Sequence, residues 1–181
     1  IFPVVILIRI LELMGAITYL SKFLEPLTSF IGIDGSLGLV WMAAILVNIY
    51  AGMAAFASLQ AIFDYTIAET TILGLIILIA HSLPIEVAIA RQSRVSGIFN
   101  LLFRVINAVI AGKILNFIFI KYELLNEKNN SILKVPNEII SNFEWALLQI
   151  QNFFIIFIII FLIISTINIL KSIGFWQIII N

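Results

Sequence analysis

Residues 67–91 read IAETTILGLIILIAHSLPIEVAIAR, and this stretch decides the fold. Its first half is a nearly unbroken apolar run that predicts a helix. Pro84 should break that helix, because proline has no N–H to donate and its ring clashes with the preceding turn. A shorter helical piece that carries Glu86 follows over residues 85–90. The stretch therefore predicts a proline-broken helix, bounded at residues 66–92.

The composition of the whole chain places this broken helix in a membrane. Of 181 residues, 62% are hydrophobic and 11% are charged, whereas soluble proteins have about 45–50% apolar and about 25% charged residues. The mean hydropathy is +1.18. A soluble fold of this length leaves roughly a third of its unfolded surface exposed, so it could not hide this much apolar area. The sequence therefore predicts an all-α integral membrane protein, with the lipid bilayer as its first partner.

Charge, cysteine content and motifs exclude several classes of function. Ten Lys and Arg residues balance ten Asp and Glu residues, so we expect no nucleic-acid partner. The chain has no cysteine, which excludes disulfides, thiolate metal sites and cysteine nucleophiles. It contains no nucleophile elbow, phosphate loop, paired metal-binding carboxylates or zinc-protease motif. We therefore expect no enzymatic activity, no catalytic residue, no metal site and no cofactor.

Upstream of the broken helix, the first apolar segment predicts a helix over residues 2–23. Glu25 precedes Pro26, and the residue before a proline disfavours the helical conformation, so the helix should end there. Arg9 and Glu12 are three residues apart on one helical face, and we expect them to form a structural ion pair.

Residues 28–63 have two interpretations. Glycines and a capping residue, Asp34 or Ser36, introduce an apolar stretch, and a segment of small residues follows it after an interruption at Asn48–Gly52. The region forms either one long helix or a re-entrant hairpin of two short helices that meet at the interruption. We favour the hairpin, since each half is too short to span a membrane alone. Small residues also let two helices approach closely.

Downstream, residues 98–122 predict a helix whose polar residues recur on one face, so that this face should meet protein or water rather than lipid. We call this face the polar stripe; its members are Arg104, Asn107, Lys113 and Asn116. Residues 123–137 form an extended polar stretch and predict a loop outside the membrane. A long C-terminal transmembrane helix is expected over residues 138–172, with Trp145 and Trp176 at interfacial depths.

The first candidate site lies at the proline break. Ionisable residues are costly inside a membrane and usually face a protein interior or a wet pathway. His81 stands just before the break and Glu86 just after it, and Pro84 should leave backbone carbonyls free near Ala80 and His81. These groups could hold a cation or a small polar solute. The structural alternative is a packing kink in which His81 and Glu86 satisfy each other or neighbouring helices.

Two further sets of residues are weaker candidates. In the predicted hairpin, half-helix ends could aim N–H and C=O groups at a solute, and the alternative is that small residues there serve packing alone. In the polar stripe, a lone basic residue near a helix end more often snorkels to the headgroups than binds a ligand. The residues that we expect to contact a substrate are Asn48, Gly52, Ser58, His81, Pro84 and Glu86.

The order of the elements points to a known family. A helix is followed by a small-residue hairpin that contains NIYAGMAA, residues 48–55, and by a broken helix that contains AHSLPIEV, residues 80–87. This order resembles the nucleoside recognition or Gate domain of concentrative nucleoside transporters, of the membrane part of the ferrous iron transporter FeoB and of spore maturation proteins. The resemblance covers about residues 2–122, so residues 1–122 are expected to form a Gate-like membrane domain. It implies a transport or gating role for Asn48, Gly52, His81 and Glu86.

Two departures from that family bear on the solute. FeoB gates are associated with cysteines near the break, and their absence here counts against iron. The nucleoside transporters have a polar Gln, Thr and Glu cluster at the hairpin tip, and residues 48–52 are sparser, which counts against a nucleoside.

The length of the chain bears on its assembly. A full transporter of this kind contains two inverted repeats with the site between them, and this chain has room for one. We therefore expect a half-transporter that pairs with itself or with a related half. The pair should lie in a bacterial inner (cytoplasmic) membrane and form a pathway for a solute or ion, either a nucleoside or a cation. The alternative is a non-transporting membrane scaffold or assembly protein of the spore-maturation type.

Overall fold

The computed structural model describes residues 2–60, 62–129 and 142–172. The chain divides into two compact units, which are bounded at residues 1–130 and 131–181. The first unit contains α1 to α7 and the second contains α8. The helices are α1 (Phe2–Leu13), α2 (Ala16–Ile31), α3 (Gly35–Leu46), α4 (Ile49–Leu59), α5 (Ile67–Ile79), α6 (Leu83–Gln92), α7 (Gly97–Lys121) and α8 (Asn142–Ser172).

Three segments of the described residues are long enough and apolar enough to cross a membrane. They are Ile67–Gln92, which combines α5 and α6, Gly97–Lys121, which is α7, and Phe143–Lys171 within α8. A fourth exists if α2 and α3, which meet at an angle of 92°, are one bent span. This all-helical architecture is that of an integral membrane protein and confirms the predicted fold class.

The first predicted helix, residues 2–23, differs from the structure at both its middle and its end. Gly15, with φ +68°, divides it into α1 and α2, and α2 continues through Pro26 instead of ending before it. The reason is packing against α3: a Cβ on Gly38 would lie only 2.9 Å from Thr28 and 3.0 Å from Leu24. Contacts on both sides of Pro26 therefore hold the helix together through the proline.

The second region forms the hairpin and not the single long helix. Val47 and Asn48 separate α3 from α4, and the two helices pack against each other. Their approach is close enough that a Cβ on Gly52 would lie 2.8 Å from Ala44 Cβ. With 12 and 11 residues, the arms are roughly 18 Å and 17 Å long, too short to cross a ~30 Å hydrocarbon core.

The hairpin begins at Gly35 and not at residue 28, because a corner precedes it. Gly32, with φ +91°, ends α2 and donates its N–H to Thr28 O at 2.9 Å. Asp34 then caps α3, since its side chain accepts the Ser36 N–H at 2.8 Å. Asn116 of α7 lies directly over Gly32, where any Cβ would overlap its side chain.

The core of the first unit lies where α2, α3, α5 and α7 meet. Gly112 lets α7 approach this core, because a Cβ there would overlap Ile31 and lie 3.0 Å from Ile76. The largest apolar side chains that are fully buried are Ile31, Leu37, Val40, Leu59, Ile72 and Ile76.

The start of the predicted polar loop returns to the first turn of α5. Glu127 O and Leu125 O accept the N–H groups of Ile67 and Ala68, both at 2.9 Å, and so satisfy donors that a helix start leaves unpaired. Residues 130–141, which include the rest of the predicted loop and the predicted start of the last helix, lie outside the described residues, as does Trp176.

Candidate functional site

The break predicted near Pro84 lies over Ala80, His81 and Ser82, between α5 and α6. Ser82 has φ +50°, a left-handed conformation that is uncommon for residues other than glycine. Pro84 lies in the first turn of α6, where a missing N–H costs little because that turn has no intrahelical acceptor for it. The chain is therefore interrupted before the proline, and Pro84 is the second residue of α6.

Arg104 of α7 joins the two sides of this break. Its Nη1 donates to Ile79 O, at the end of α5, at 2.9 Å. Its Nε lies 2.7 Å from Glu86 Oε2 on α6, and the two side chains are 33% and 21% exposed. The last carbonyls of a helix carry partial negative charge, and the Glu86 carboxylate adds a full one. The guanidinium therefore neutralises a negative site that the break creates.

The Glu86 carboxylate is held mainly by charge. Its Oε2 atom is buried and accepts no hydrogen bond of good geometry, although it lies within ion-pair distance of Arg104. The strongest carboxylate–guanidinium pairs use two parallel hydrogen bonds. Here Arg104 also donates to Ile79 O, so the guanidinium divides its N–H groups between a carbonyl and the carboxylate.

The other side of the break rests on α3. Trp41 Nε1 donates to Ala80 O at 3.2 Å, and Ser82 N donates to Ala44 O at 2.9 Å. The prediction of free carbonyls next to the break is therefore wrong for Ala80, because a side chain from another helix reaches it. The sequence held one signal for this contact, since a tryptophan in an apolar helix needs a partner for its indole N–H.

His81 turns back onto the end of α5. Its Nδ1 lies 2.8 Å from Ile77 O, one turn earlier in α5, and the side chain is half-buried. Glu86 pairs with Arg104 instead. In the described part of the chain, the two predicted site residues at the break thus have separate partners and do not satisfy each other.

The hairpin residues of the predicted site support the hairpin itself. Asn48 caps α4, since its Oδ1 accepts the Ala51 N–H at 2.9 Å. Gly52 is buried at the contact between the two arms. Ser58 is buried and donates to Ala54 O, one turn earlier, at 3.1 Å. The hairpin contacts the break through the hydrogen bond from Ser82 N to Ala44 O. Within the described residues, Asn48 makes no hydrogen bond to His81 or Glu86.

Three of the four members of the polar stripe on α7 contact residues outside α7, although Lys113 stays exposed. Arg104 bridges the break, Lys113 Nζ lies 4.8 Å from the centre of the Phe30 ring, and Asn116 covers Gly32. Asn107 is exposed and donates to Phe103 O on its own helix at 2.6 Å. Arg104 therefore bonds to groups of α5 and α6 instead of only reaching toward the headgroups. From the sequence it was a weaker candidate, but in the structure it joins the two sides of the break.

Two cavities open beside the hairpin, and both are apolar. One, of about 270 Å³, lies between the hairpin and α5, and its wall includes Gly52 and Thr70. The other, of about 210 Å³, lies between α3 and the first two helices. Neither wall includes His81, Glu86 or Asn48, so neither cavity leads to the polar groups of the break.

A second polar cluster fixes the α2–α3 corner to the start of α5. The Ser36 hydroxyl lies 2.7 Å from the Tyr65 hydroxyl and also bonds Asp34. Glu69 accepts from Asp34 N at 3.2 Å and from Thr66 N at 2.9 Å. Burial raises the pKa of Tyr65 above its ordinary value, and the nearby Asp34 and Glu69 carboxylates add to the rise. The members of this cluster are bonded to one another, which indicates a structural role.

Comparison with known proteins supports the membrane assignment and goes no further. The chain is 25% identical over 119 residues, 66% of its length, to the uncharacterized membrane protein YvoD of Bacillus subtilis (strain 168). The matched part spans only 37% of that protein. No protein-family model matches the chain, and no solved structure matches it.

Proposed function

We propose that the chain is a Gate-type half-transporter of a bacterial inner membrane, without enzymatic activity. One observation carries the proposal: a carboxylate and a guanidinium meet across a helix break, at Glu86 and Arg104. Glu86 lies within the apolar segment Ile67–Gln92 and Arg104 within Gly97–Lys121, and charges inside such segments are costly and mark pathways for ions and solutes. A packing kink needs neither charge, because Pro84 and the left-handed Ser82 already interrupt the helix.

The proposed pathway is closed in this conformation. Arg104 covers Ile79 O and Glu86, and Trp41 covers Ala80 O. Opening therefore requires Arg104 to leave the break. A small polar solute, either a nucleoside or a cation, can then contact Ile79 O and the Glu86 carboxylate in place of Arg104.

The proposed assembly is a pair of copies or of related halves. Transporters built from discontinuous helices place the site between two repeats. The first unit contains one hairpin and one broken helix, which are the elements expected of a single repeat. Native mass measurement in mild detergent tests this, and a monomer under all such conditions contradicts it.

The transport proposal is tested by uptake into proteoliposomes that contain the purified protein. Radiolabelled nucleosides, monovalent cations and divalent cations are supplied one at a time. We expect uptake of one of these classes, a large loss with Glu86→Gln and a smaller loss with His81→Ala. Asn107→Ala is the matched control, because Asn107 bonds only its own helix. Uptake that is equal in Glu86→Gln and the unsubstituted protein contradicts the proposal.

The second candidate function is a membrane scaffold or assembly protein. It is favoured by the occupied carbonyls at the break and by the apolar walls of both cavities. The same assay separates the two functions: a stable oligomer that takes up none of the solutes supports the scaffold.

A further inference from the structure

The turn between α6 and α7, residues 93–96, lies at a membrane surface. It joins two of the segments that are apolar enough to span a membrane, Ile67–Gln92 and Gly97–Lys121. Because both segments end at this turn, its residues lie at the depth of the lipid headgroups. Exposed apolar residues adjoin the turn on both sides, where the acyl chains begin, and we call them the apolar rim; they are Ile89, Val95, Ile98 and Phe99.

Two exposed arginines, Arg91 and Arg94, give this turn a positive charge. Within the described residues, neither arginine forms an ion pair, and the nearest carboxylate along the chain, Glu86, already has its partner on α7. The opposite end of the same two segments differs, because Lys128 there pairs with Asp64 at 2.7 Å. The turn therefore offers its charge to an anion from outside the described part of the chain.

Arg94 occupies a backbone position that glycine would take with less strain. Its φ is +61°, in the left-handed region that is unfavourable for residues with a Cβ. Val95 N donates to Ala90 O at 2.9 Å, and Arg94 N donates to Arg91 O at 3.1 Å. These two bonds form a Schellman motif, whose left-handed residue is usually glycine. Strained residues are typical of ligand-binding positions, so the arginine indicates a binding role for its side chain.

The side chain of Arg91 folds across the same turn. A Cβ on Gly97 would lie 2.9 Å from Arg91 Nε, so this guanidinium lies against the first residue of α7. The charges of Arg91 and Arg94 thus belong to one short turn between the two spans. A guanidinium binds a phosphate group through two parallel N–H donors, and the surrounding apolar rim suits the acyl chains that a lipid phosphate carries.

We infer that the α6–α7 turn binds an anionic phospholipid, with Arg91 and Arg94 on its headgroup and the apolar rim against its acyl chains. Charge complementarity favours an anionic lipid over a zwitterionic one, because the choline group of phosphatidylcholine would place a further cation beside the arginines. The inference does not depend on the proposed function, since a transporter and a scaffold lie in the same lipids.

The first test compares phosphatidylglycerol with phosphatidylcholine. Each lipid is titrated onto the purified full chain in detergent, and bound lipids are counted by native mass spectrometry. The unsubstituted protein should bind phosphatidylglycerol more tightly. Arg91→Gln combined with Arg94→Gln should weaken that binding about 25-fold, because each arginine near an anionic surface contributes about fivefold.

The matched control combines Lys121→Gln with Lys128→Gln, which removes two positive charges from the opposite end of the same spans. This control should keep the affinity of the unsubstituted protein for phosphatidylglycerol. Equal losses in the two double variants overturn the inference, as does equal affinity of the unsubstituted protein for the two lipids.

Arg94→Gly tests the strained position separately. Glycine adopts the left-handed conformation readily, so this variant should unfold at a higher temperature in phosphatidylcholine nanodiscs. Its affinity for phosphatidylglycerol should fall about fivefold, and an undiminished affinity overturns the role of Arg94. Inorganic phosphate should not displace the lipid, because it has no acyl chain for the apolar rim. Displacement by inorganic phosphate would assign the turn to a free anion and overturn the inference.

Discussion

The hairpin turn and the helix break are both interruptions of apolar helices, and they are stabilised in opposite ways. At the hairpin turn, Asn48 satisfies the start of α4 with its own side chain. At the break, the backbone groups of Ile79, Ala80 and Ser82 find their partners on α3 and α7. The hairpin turn is thus a local structure, whereas the break depends on two other helices, α3 and α7, being in place. Such dependence makes the break the part of the first unit that a ligand or a partner can most readily change.

The largest expected effect comes from removing the bridge over the break. Arg104→Ala leaves Glu86 shielded without a counter-charge and Ile79 O without a donor. Loss of one partner of a fully buried pair costs 3–5 kcal/mol, and partial exposure of both groups reduces this to about 2–3 kcal/mol. Denaturant unfolding in mixed micelles measures the loss. Asn107→Ala on the same helix should change the free energy of unfolding by less than about 0.5 kcal/mol; equal losses for both variants would mean that the break does not depend on α7.

The second-largest loss of stability is expected where the two hairpin arms approach each other closely. Gly52→Ala would place a Cβ 2.8 Å from Ala44 Cβ, and overpacking of this kind typically costs about 1–3 kcal/mol. Gly74→Ala on α5 is the matched control, because a Cβ there meets no atom within 4 Å. Its higher helix propensity should stabilise the protein by up to about 1 kcal/mol. If the unfolding temperature falls in Gly52→Ala and rises in Gly74→Ala, the packed hairpin is supported. Shifts of the same sign in the two variants contradict it.

A smaller loss of stability is expected at Asn48, where two substitutions distinguish helix capping from solute binding. Asn48→Ala should cost about 1 kcal/mol of stability, as loss of a helix cap does, while Asn48→Ser keeps an oxygen that can cap α4. If Asn48 serves the hairpin turn alone, Asn48→Ser retains both stability and solute uptake. Normal stability with lost uptake in Asn48→Ser would instead assign Asn48 to the pathway.

The smallest effect concerns the polar cluster at the start of α5. Tyr65→Phe removes the hydrogen bond to Ser36, which still bonds Asp34, so the loss at neutral pH should be about 0.5 kcal/mol. Burial raises the pKa of Tyr65, so as the pH rises above about 10 the unfolded chain loses this proton first and stability falls. Tyr65→Phe should lack that alkaline loss. Unfolding free energies measured from pH 9 to pH 11 check this, and identical pH profiles for the two proteins would contradict it.

The sequence predicted elements whose cause is local. Asp34, one of the two predicted caps, caps α3 with its own side chain, the chain turns at the predicted interruption next to Asn48, and the small residues near Gly52 predicted the close arms of the hairpin. The end of the first helix was missed because Pro26 disfavours helix locally, whereas the packing of Thr28 and Leu24 against α3 holds the helix together. That packing depends on residues distant in sequence, which no local pattern reveals.

The candidate site was predicted in part for the same reason. His81, Pro84 and Glu86 mark the break in the sequence, but the partners of its backbone lie on other helices. Arg104 follows Glu86 by 18 positions on a separate helix, and nothing in its own segment distinguishes a bridging arginine from one that snorkels to the headgroups.

The central claim is that Arg104 and Glu86 stabilise the closed break together. A double-mutant cycle in mixed micelles measures this directly, from the unfolding free energies of the unsubstituted protein, Arg104→Gln, Glu86→Gln and the double variant. We predict a coupling energy of about 1–3 kcal/mol, with the double variant more stable than the sum of the single losses implies. A coupling energy indistinguishable from zero would contradict the account, because the two charges would then contribute to the break independently of each other.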